Sequence, residues 1–132
     1  MSKILVIDDS RMLRQAVLAA LSEAGHHVLV VDPASLFEVL KQLYEFDPVL
    51  IVTDYEMPKC NGETLIRVIR EDPKYCNIKL LVLTAHREAD LVQRMGRHGV
   101  DGFLVKGKDM FQTLVSRVTE LLKQPDRNTI DT

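Results

Sequence analysis

Five short apolar runs, each followed by a segment of helical periodicity, constrain this chain more than any other feature. The runs are Lys3–Ile7, Val28–Val31, Val49–Thr53, Leu80–Leu83 and Gly102–Val105. They are rich in Val, Ile and Leu with little alternation, the pattern of strands covered on both faces. Between them apolar residues recur at helical spacing. Leu13, Ala16, Val17, Ala20 and Leu21 form the first stripe, and Gly25 stands where a glycine would end the helix. Leu36, Val39, Leu40 and Leu43 form the second, after Asp32-Pro33, which reads as an N-cap followed by a first-turn proline. Leu65, Val68 and Ile69 form the third, and Leu91, Val92 and Met95 the fourth. Phe111, Leu114, Val115, Val118 and Leu122 form the fifth, which Asp109 opens with Gln112 in capping-box position.

Five strand-then-helix units predict an α/β fold, a parallel sheet with helices on both faces. Right-handed crossovers leave few topologies, and the flavodoxin-like, doubly wound order 2-1-3-4-5 is the expected one. A length of 132 residues suits one core. The expected domain is residues 1–123, with the polar stretch 124–132 a tail or the start of a linker. The net charge is -2, from 17 basic and 19 acidic residues, which gives no whole-chain argument for nucleic acid or an anionic membrane. No apolar run is long enough to span a bilayer, and Ile4–Ile7 is too short for a signal peptide. Cys60 and Cys76 form no metal-type cluster and read as free thiols in a reducing cytoplasm, a disulfide between them being the alternative.

In such sheets the functional site lies at the carboxyl ends of the strands, where strand order reverses. Here the first strand runs into Asp8-Asp9, the third into Asp54, the fourth into Thr84 and the fifth into Lys106. Each has an ordinary alternative: Asp8 or Asp9 as a helix cap, Asp54 as a turn residue, Thr84 as a cap, Lys106 as a solvated lysine. Jointly they put three carboxylates, a hydroxyl and an ammonium on one edge. Three clustered carboxylates repel one another unless a cation sits among them, which points to a hard-metal site.

These residues also carry a resemblance. Asp8-Asp9, the run Val52-Thr53-Asp54-Tyr55-Glu56-Met57-Pro58 with Gly62, Thr84-Ala85, and Phe103-Leu104-Val105-Lys106 resemble the signature of response-regulator receiver domains of two-component systems, over about residues 3–123. The resemblance implies that Asp54 is the phosphoacceptor for a histidine kinase or histidine phosphotransfer protein. It implies that Asp9, Asp54 and the backbone carbonyl of Glu56 ligate Mg2+ (Mn2+ can substitute), with Asp8 acting through water. Lys106, the Thr84 hydroxyl and the Ala85 N–H would bind the phosphoryl oxygens, and Thr84 with Phe103 would switch the helix 4/strand 5/helix 5 surface toward an output domain or effector. Nucleic acid and membrane are not expected as direct partners of such a domain.

The chain departs from that pattern at Gly107 and His98. Gly107 follows Lys106 where the family usually has proline, so a trans Lys106–Gly107 bond and a loosely held Lys106 are expected. His98 replaces a usually small residue, and His86 and Glu56 stand two residues beyond Thr84 and Asp54, where side chains tune phosphoryl lifetime. Arg87, Arg94, Arg97 and His98 around the fourth helix suggest a basic partner surface. Three competing readings fare worse. A haloacid-dehalogenase-type phosphatase would carry its nucleophile first and its acidic pair last. A flavodoxin-like electron carrier would need a Ser/Thr/Gly-rich loop where Asp8-Asp9-Ser10-Arg11 stands. A degenerate receiver would lack one of the five site positions, all of which are filled.

Overall fold

The computed structural model describes residues 2–85 and 89–125. Ten elements alternate: β1 (Lys3–Ile7), α1 (Arg11–Glu23), β2 (His27–Val31), α2 (Leu36–Phe46), β3 (Leu50–Asp54), α3 (Gly62–Glu71), β4 (Lys79–Thr84), α4 (Ala89–Arg97), β5 (Gly102–Val105) and α5 (Met110–Lys123). Every strand pairing is parallel and the order is β2-β1-β3-β4-β5, the flavodoxin-like topology that the alternation predicts.

Successive strand residues feed two separate cores, which is why the runs read as continuously apolar. Leu5, Ile7, Ile51, Leu80 and Val82 meet Val39 and Leu43 of α2, Leu65, Ile66 and Ile69 of α3, and Met95 of α4. Ile4, Val6, Leu50, Val52, Leu81 and Leu83 meet Val17 and Leu21 of α1 and Leu114, Val118 and Leu121 of α5. Two stripes shift slightly from expectation. Ile66 rather than Val68 joins the buried face of α3, and Leu121 rather than Leu122 that of α5.

The helix starts follow local chemistry. Ser10 caps α1 by accepting from Leu13 N–H at 3.2 Å, and Gly25 closes that helix at φ 95°, a backbone that favours glycine. The N-cap of α2 is Ser35, which accepts from Glu38 N–H at 3.1 Å, not Asp32. Three residues separate Asp32 from the helix, and its carboxylate instead stands 3.9 Å from Arg14. Asp109 does begin α5, but its backbone lies outside the extended conformation and its side chain makes no capping bond, so the expected capping box is not formed. Both cysteines are free. No helix among the described residues is long and apolar enough to cross a membrane.

The registers set the site. Strand β3 runs one residue later than predicted, because Val49 is half exposed before the ladder begins. Asp54 therefore closes β3 opposite Leu83, and Thr84 closes β4 opposite Val105. Ile7 pairs with Thr53 on the neighbouring side, so Asp8 leaves β1 level with Asp54.

Candidate functional site

Asp8, Asp9 and Asp54 each offer a carboxylate oxygen, and the three oxygens lie within 4.8 Å of one another. Asp8 and Asp54 are buried; Asp9 is exposed at the rim. The Asp8 carboxylate accepts the Ser10 N–H through Oδ1 at 2.8 Å, while its Oδ2 is buried with no hydrogen bond. Arg14 donates to the Asp8 carbonyl at 2.8 Å and so pins the β1–α1 turn from the helix side. On Asp54, Oδ1 accepts the Glu56 N–H at 3.2 Å and Oδ2 accepts from Lys106 Nζ at 2.9 Å.

Lys106 Nζ also stands 3.5 Å from Asp8 Oδ2. Its backbone N–H donates to Thr84 O at 2.8 Å, and Met110 N–H donates to Gly107 O at 3.3 Å. The lysine that Gly107 was expected to leave loosely held is thus paired through both its backbone N–H and its ammonium. The bond is trans, as expected, but the extension of the β4–β5 ladder and a turn into α5 orient Lys106 without proline. Thr84 is buried at its strand end and Ala85 is exposed beside it. Phe103 sits half-buried in a cleft with Val92, Met95 and Val100, between α4 and α5. His86 and Arg87 lie outside the described residues.

The electrostatics are those of a crowded acidic pocket. Burial pushes the Asp54 carboxyl above its ordinary pKa, with Asp8 adding to the rise and Lys106 opposing it. Burial likewise raises Asp8, with Asp9 adding and the Ser10 N–H and Lys106 opposing. Burial works against the Lys106 charge, but the hydrogen bond and field of Asp54 and the field of Asp8 outweigh it and raise its pKa. One ammonium stands against Asp8 and Asp54 with Asp9 beside them, and it meets the buried Asp8 Oδ2 only at 3.5 Å, without forming a hydrogen bond. Such an all-oxygen, net-negative donor set fits a small hard divalent cation.

The acidic rim continues into a cleft of about 530 Å³ lined by Asp9, Tyr55, Glu56, Met57, Asn61, Glu63 and Arg94. Its far wall was not legible in the sequence. Tyr55 OH donates to Glu63 Oε2 at 2.8 Å, Arg94 pairs with the same oxygen, and His98 Nε2 lies 3.0 Å from Oε1. Two of the four basic residues expected to form a partner surface are therefore engaged within the chain. The one available signal was the four-residue spacing of Arg94 and His98, which puts both on one helix face.

A profile of the response regulator receiver domain family matches residues 4–119, and the chain belongs to that family. Receiver domains are the phosphorylation-controlled signalling switches of two-component systems; they bind Mg2+ in an acidic pocket and work with histidine kinases and output domains. The fold superimposes on the chemotaxis protein CheY4 of Vibrio cholerae with a TM-score of 0.82 at 28% identity, covering 91% of this chain and 98% of that one. Chemotaxis protein CheY1 of Helicobacter pylori is 27% identical over 79% of this chain and 84% of its own length. The transcriptional regulator RpaA of Synechocystis is 33% identical over 96% of this chain but only 52% of its own length. Other relatives are likewise longer than this chain, the match spanning 7% of one and 44% of another.

Proposed function

We propose that Asp54 is the phosphoacceptor of this receiver domain and that Asp8, Asp9, Asp54 and the Glu56 carbonyl form its Mg2+ site, with Mn2+ able to substitute. The single observation that supports this most is the convergence of three carboxylate oxygens within 4.8 Å beside Lys106. When bound, the cation neutralises the carboxylates and the phosphoryl oxygens. The remaining steps belong to the chain. A carboxylate oxygen of Asp54 attacks the phosphorus of a donor phosphohistidine. The new P–O bond forms as the P–N bond breaks, and the imidazole nitrogen keeps the electron pair. Lys106, the Thr84 hydroxyl and the Ala85 N–H bind the equatorial oxygens, whose charge is the main thing this transfer must stabilise. In autodephosphorylation water attacks the same phosphorus, the acyl P–O bond breaks, and the Asp54 carboxylate returns with release of phosphate.

Engagement of Thr84 by the phosphoryl group would free room for the Phe103 ring to turn inward in its cleft. That change remodels the α4/β5/α5 face for an output domain or effector. Residues 1–123 form the receiver unit and 124–132 a tail or linker. The phosphoryl source is a sensor histidine kinase or histidine phosphotransfer protein. The setting is cytoplasmic, and this domain itself contacts neither nucleic acid nor membrane. Intact-mass measurement after incubation with acetyl phosphate and Mg2+ tests the reading. A single phosphoryl adduct, absent from Asp54→Asn, is the expected result; a persistent adduct in that variant would overturn it.

A further inference from the structure

Glu63 is the junction of three contacts that no part of the phosphoryl chemistry requires. It lies in the first turn of α3, and its carboxylate lines the cleft with 29% of the side chain exposed. One oxygen receives the Tyr55 hydroxyl at 2.8 Å and the Arg94 guanidinium, and the other meets His98 Nε2 at 3.0 Å. Tyr55 directly follows Asp54 and precedes Glu56, and its N–H is fixed to Leu83 O at 3.0 Å. Arg94 and His98 both come from the α4 end of the chain, 31 and 35 residues later.

A second observation fixes the span of this bridge. At Gly62, next to Glu63, a Cβ would stand 2.3 Å from Tyr55 O and 2.8 Å from Tyr55 Cα. The α3 start is therefore pressed against the Tyr55 backbone, and only glycine permits the approach. Tyr55 is held at both ends, backbone by Gly62 and hydroxyl by Glu63. The Glu63 carboxyl is correspondingly held below its ordinary pKa, first by the Tyr55 hydrogen bond and then by His98 and Arg94.

We propose that Glu63 is a positioning residue for the phosphorylation site: its carboxylate holds Tyr55 beside Asp54 and ties that loop to α4 through Arg94 and His98. The inference rests on the reading of Asp54 and the Glu56 carbonyl given above. It adds a route from site to α4 that uses neither Thr84 nor Phe103. A cation or phosphoryl group that fixes the Tyr55–Glu56 backbone tightens α4 through Glu63. By reciprocity, a partner that grips α4 strengthens cation binding.

The test combines Mg2+ calorimetry with amide exchange across α4. Tyr55→Phe and Glu63→Ala should each weaken Mg2+ binding about two- to tenfold, the worth of one net hydrogen bond. The double variant should be no weaker than the weaker single, because both remove one bond. Glu63→Gln keeps an acceptor for Tyr55 but loses the charge opposite Arg94. It should recover most of the affinity while α4 amides still exchange as fast as in Glu63→Ala. Should Glu63→Ala fail to fold, Tyr55→Phe removes the same bond by one oxygen. Wild-type affinity in Tyr55→Phe, or fully additive losses in the double variant, would overturn the proposal. If the wild type bound no Mg2+, or bound it equally after Asp9→Ala, the metal assignment itself would fall and the proposal with it.

Discussion

Lys106 Nζ lies 2.9 Å from Asp54 Oδ2 and 3.5 Å from Asp8 Oδ2, so one ammonium bridges two buried carboxylates, one at the end of β3 and one just beyond β1. In the metal-free protein this lysine is the cluster's counter-charge. In the phosphorylated protein the same Nζ would turn to the phosphoryl oxygens. Removing it therefore has two separable effects. Lys106→Ala should lower phosphorylation from acetyl phosphate by about 2–4 kcal/mol of transition-state stabilisation, as loss of one charge-stabilising donor does. It should also destabilise the metal-free fold, since Asp54 loses a charged partner. Normal labelling rates in Lys106→Ala, followed by intact mass, would refute the first effect.

The raised carboxyl pKa values of Asp8 and Asp54 make a pH prediction whose sign is definite. Each is harder to ionise folded than unfolded, with burial the leading cause. Without metal, stability falls as pH rises from the unfolded aspartate value, about 3.9, through the higher folded value. The penalty is complete above that window. The raised Lys106 pKa acts at the other end, its contribution lasting until pH passes the folded lysine value. Asp8→Asn should hence be more stable than wild type at pH 7 in chelator, by about 1 kcal/mol, and the gap should close toward pH 4. Saturating Mg2+ should reverse the order. Urea unfolding at both pH values, with and without Mg2+, checks each limb.

Gly107 can be tested without touching the chemistry. A Cβ there meets nothing within 4 Å, and its φ is not in the left-handed region. Gly107→Ala should stabilise the protein by about 0.4–1 kcal/mol by narrowing the unfolded ensemble. Because Lys106 is already oriented by the Thr84 carbonyl, labelling of Asp54 should be unchanged. A loss of stability, or a change in rate beyond the stability gain, would show that this loop needs glycine.

How far the sequence could be read follows from where each signal resides. Strand runs and helix stripes are local, so element order, topology and the strand-end residues Asp8, Asp9, Asp54, Thr84 and Lys106 were all accessible. The family resemblance supplied roles that spacing alone left open. What escaped depends on contacts between distant segments. Asp32 looked like a cap until Ser35 proved to sit one helical start closer. Gly107 suggested a loose lysine, but the hydrogen bond from its own backbone to Thr84 belongs to tertiary pairing of β4 and β5. Glu63 carries no local mark of its own; Tyr55 lies eight residues before it, but Arg94 and His98 come from 31 and 35 residues later.

Arg70 is another such residue, and it predicts stability without function. From the last turn of α3 its guanidinium donates to Gly99 O, Cys76 O, Ile78 O and the Asp101 carboxylate. Asp101 in turn accepts Leu80 N–H at 2.8 Å, so the hub staples α3, the start of β4 and the turn into β5. Arg70→Ala should cost about 3–5 kcal/mol, the usual penalty for breaking a nearly buried pair. Arg70→Lys should recover little, because an ammonium cannot present a planar fork to several carbonyls. Chemical denaturation gives both values. Asp54 labelling at low temperature should remain intact in either variant.

Gly62 offers the sharpest test of the loop that carries Asp54 into the cleft. Its missing Cβ leaves room for the Tyr55 carbonyl, which would otherwise stand 2.3 Å away. Both contacting groups are backbone, and neither can rotate aside as a side chain would. Gly62→Ala must therefore push the α3 start away from β3 or displace the Tyr55–Glu56 backbone. Helix propensity alone would favour alanine by about 1 kcal/mol, whereas overpacking costs about 1–3 kcal/mol, so the net change should be destabilising. Mg2+ affinity should fall as well, because the shifted backbone includes the Glu56 carbonyl assigned to the cation. The two readouts separate the causes. A variant destabilised but binding Mg2+ normally would mean that α3 alone moves. A variant that is stable and weak for Mg2+ would mean that the Tyr55–Glu56 turn gives way. A gain in stability with unchanged Mg2+ affinity would refute the close approach altogether.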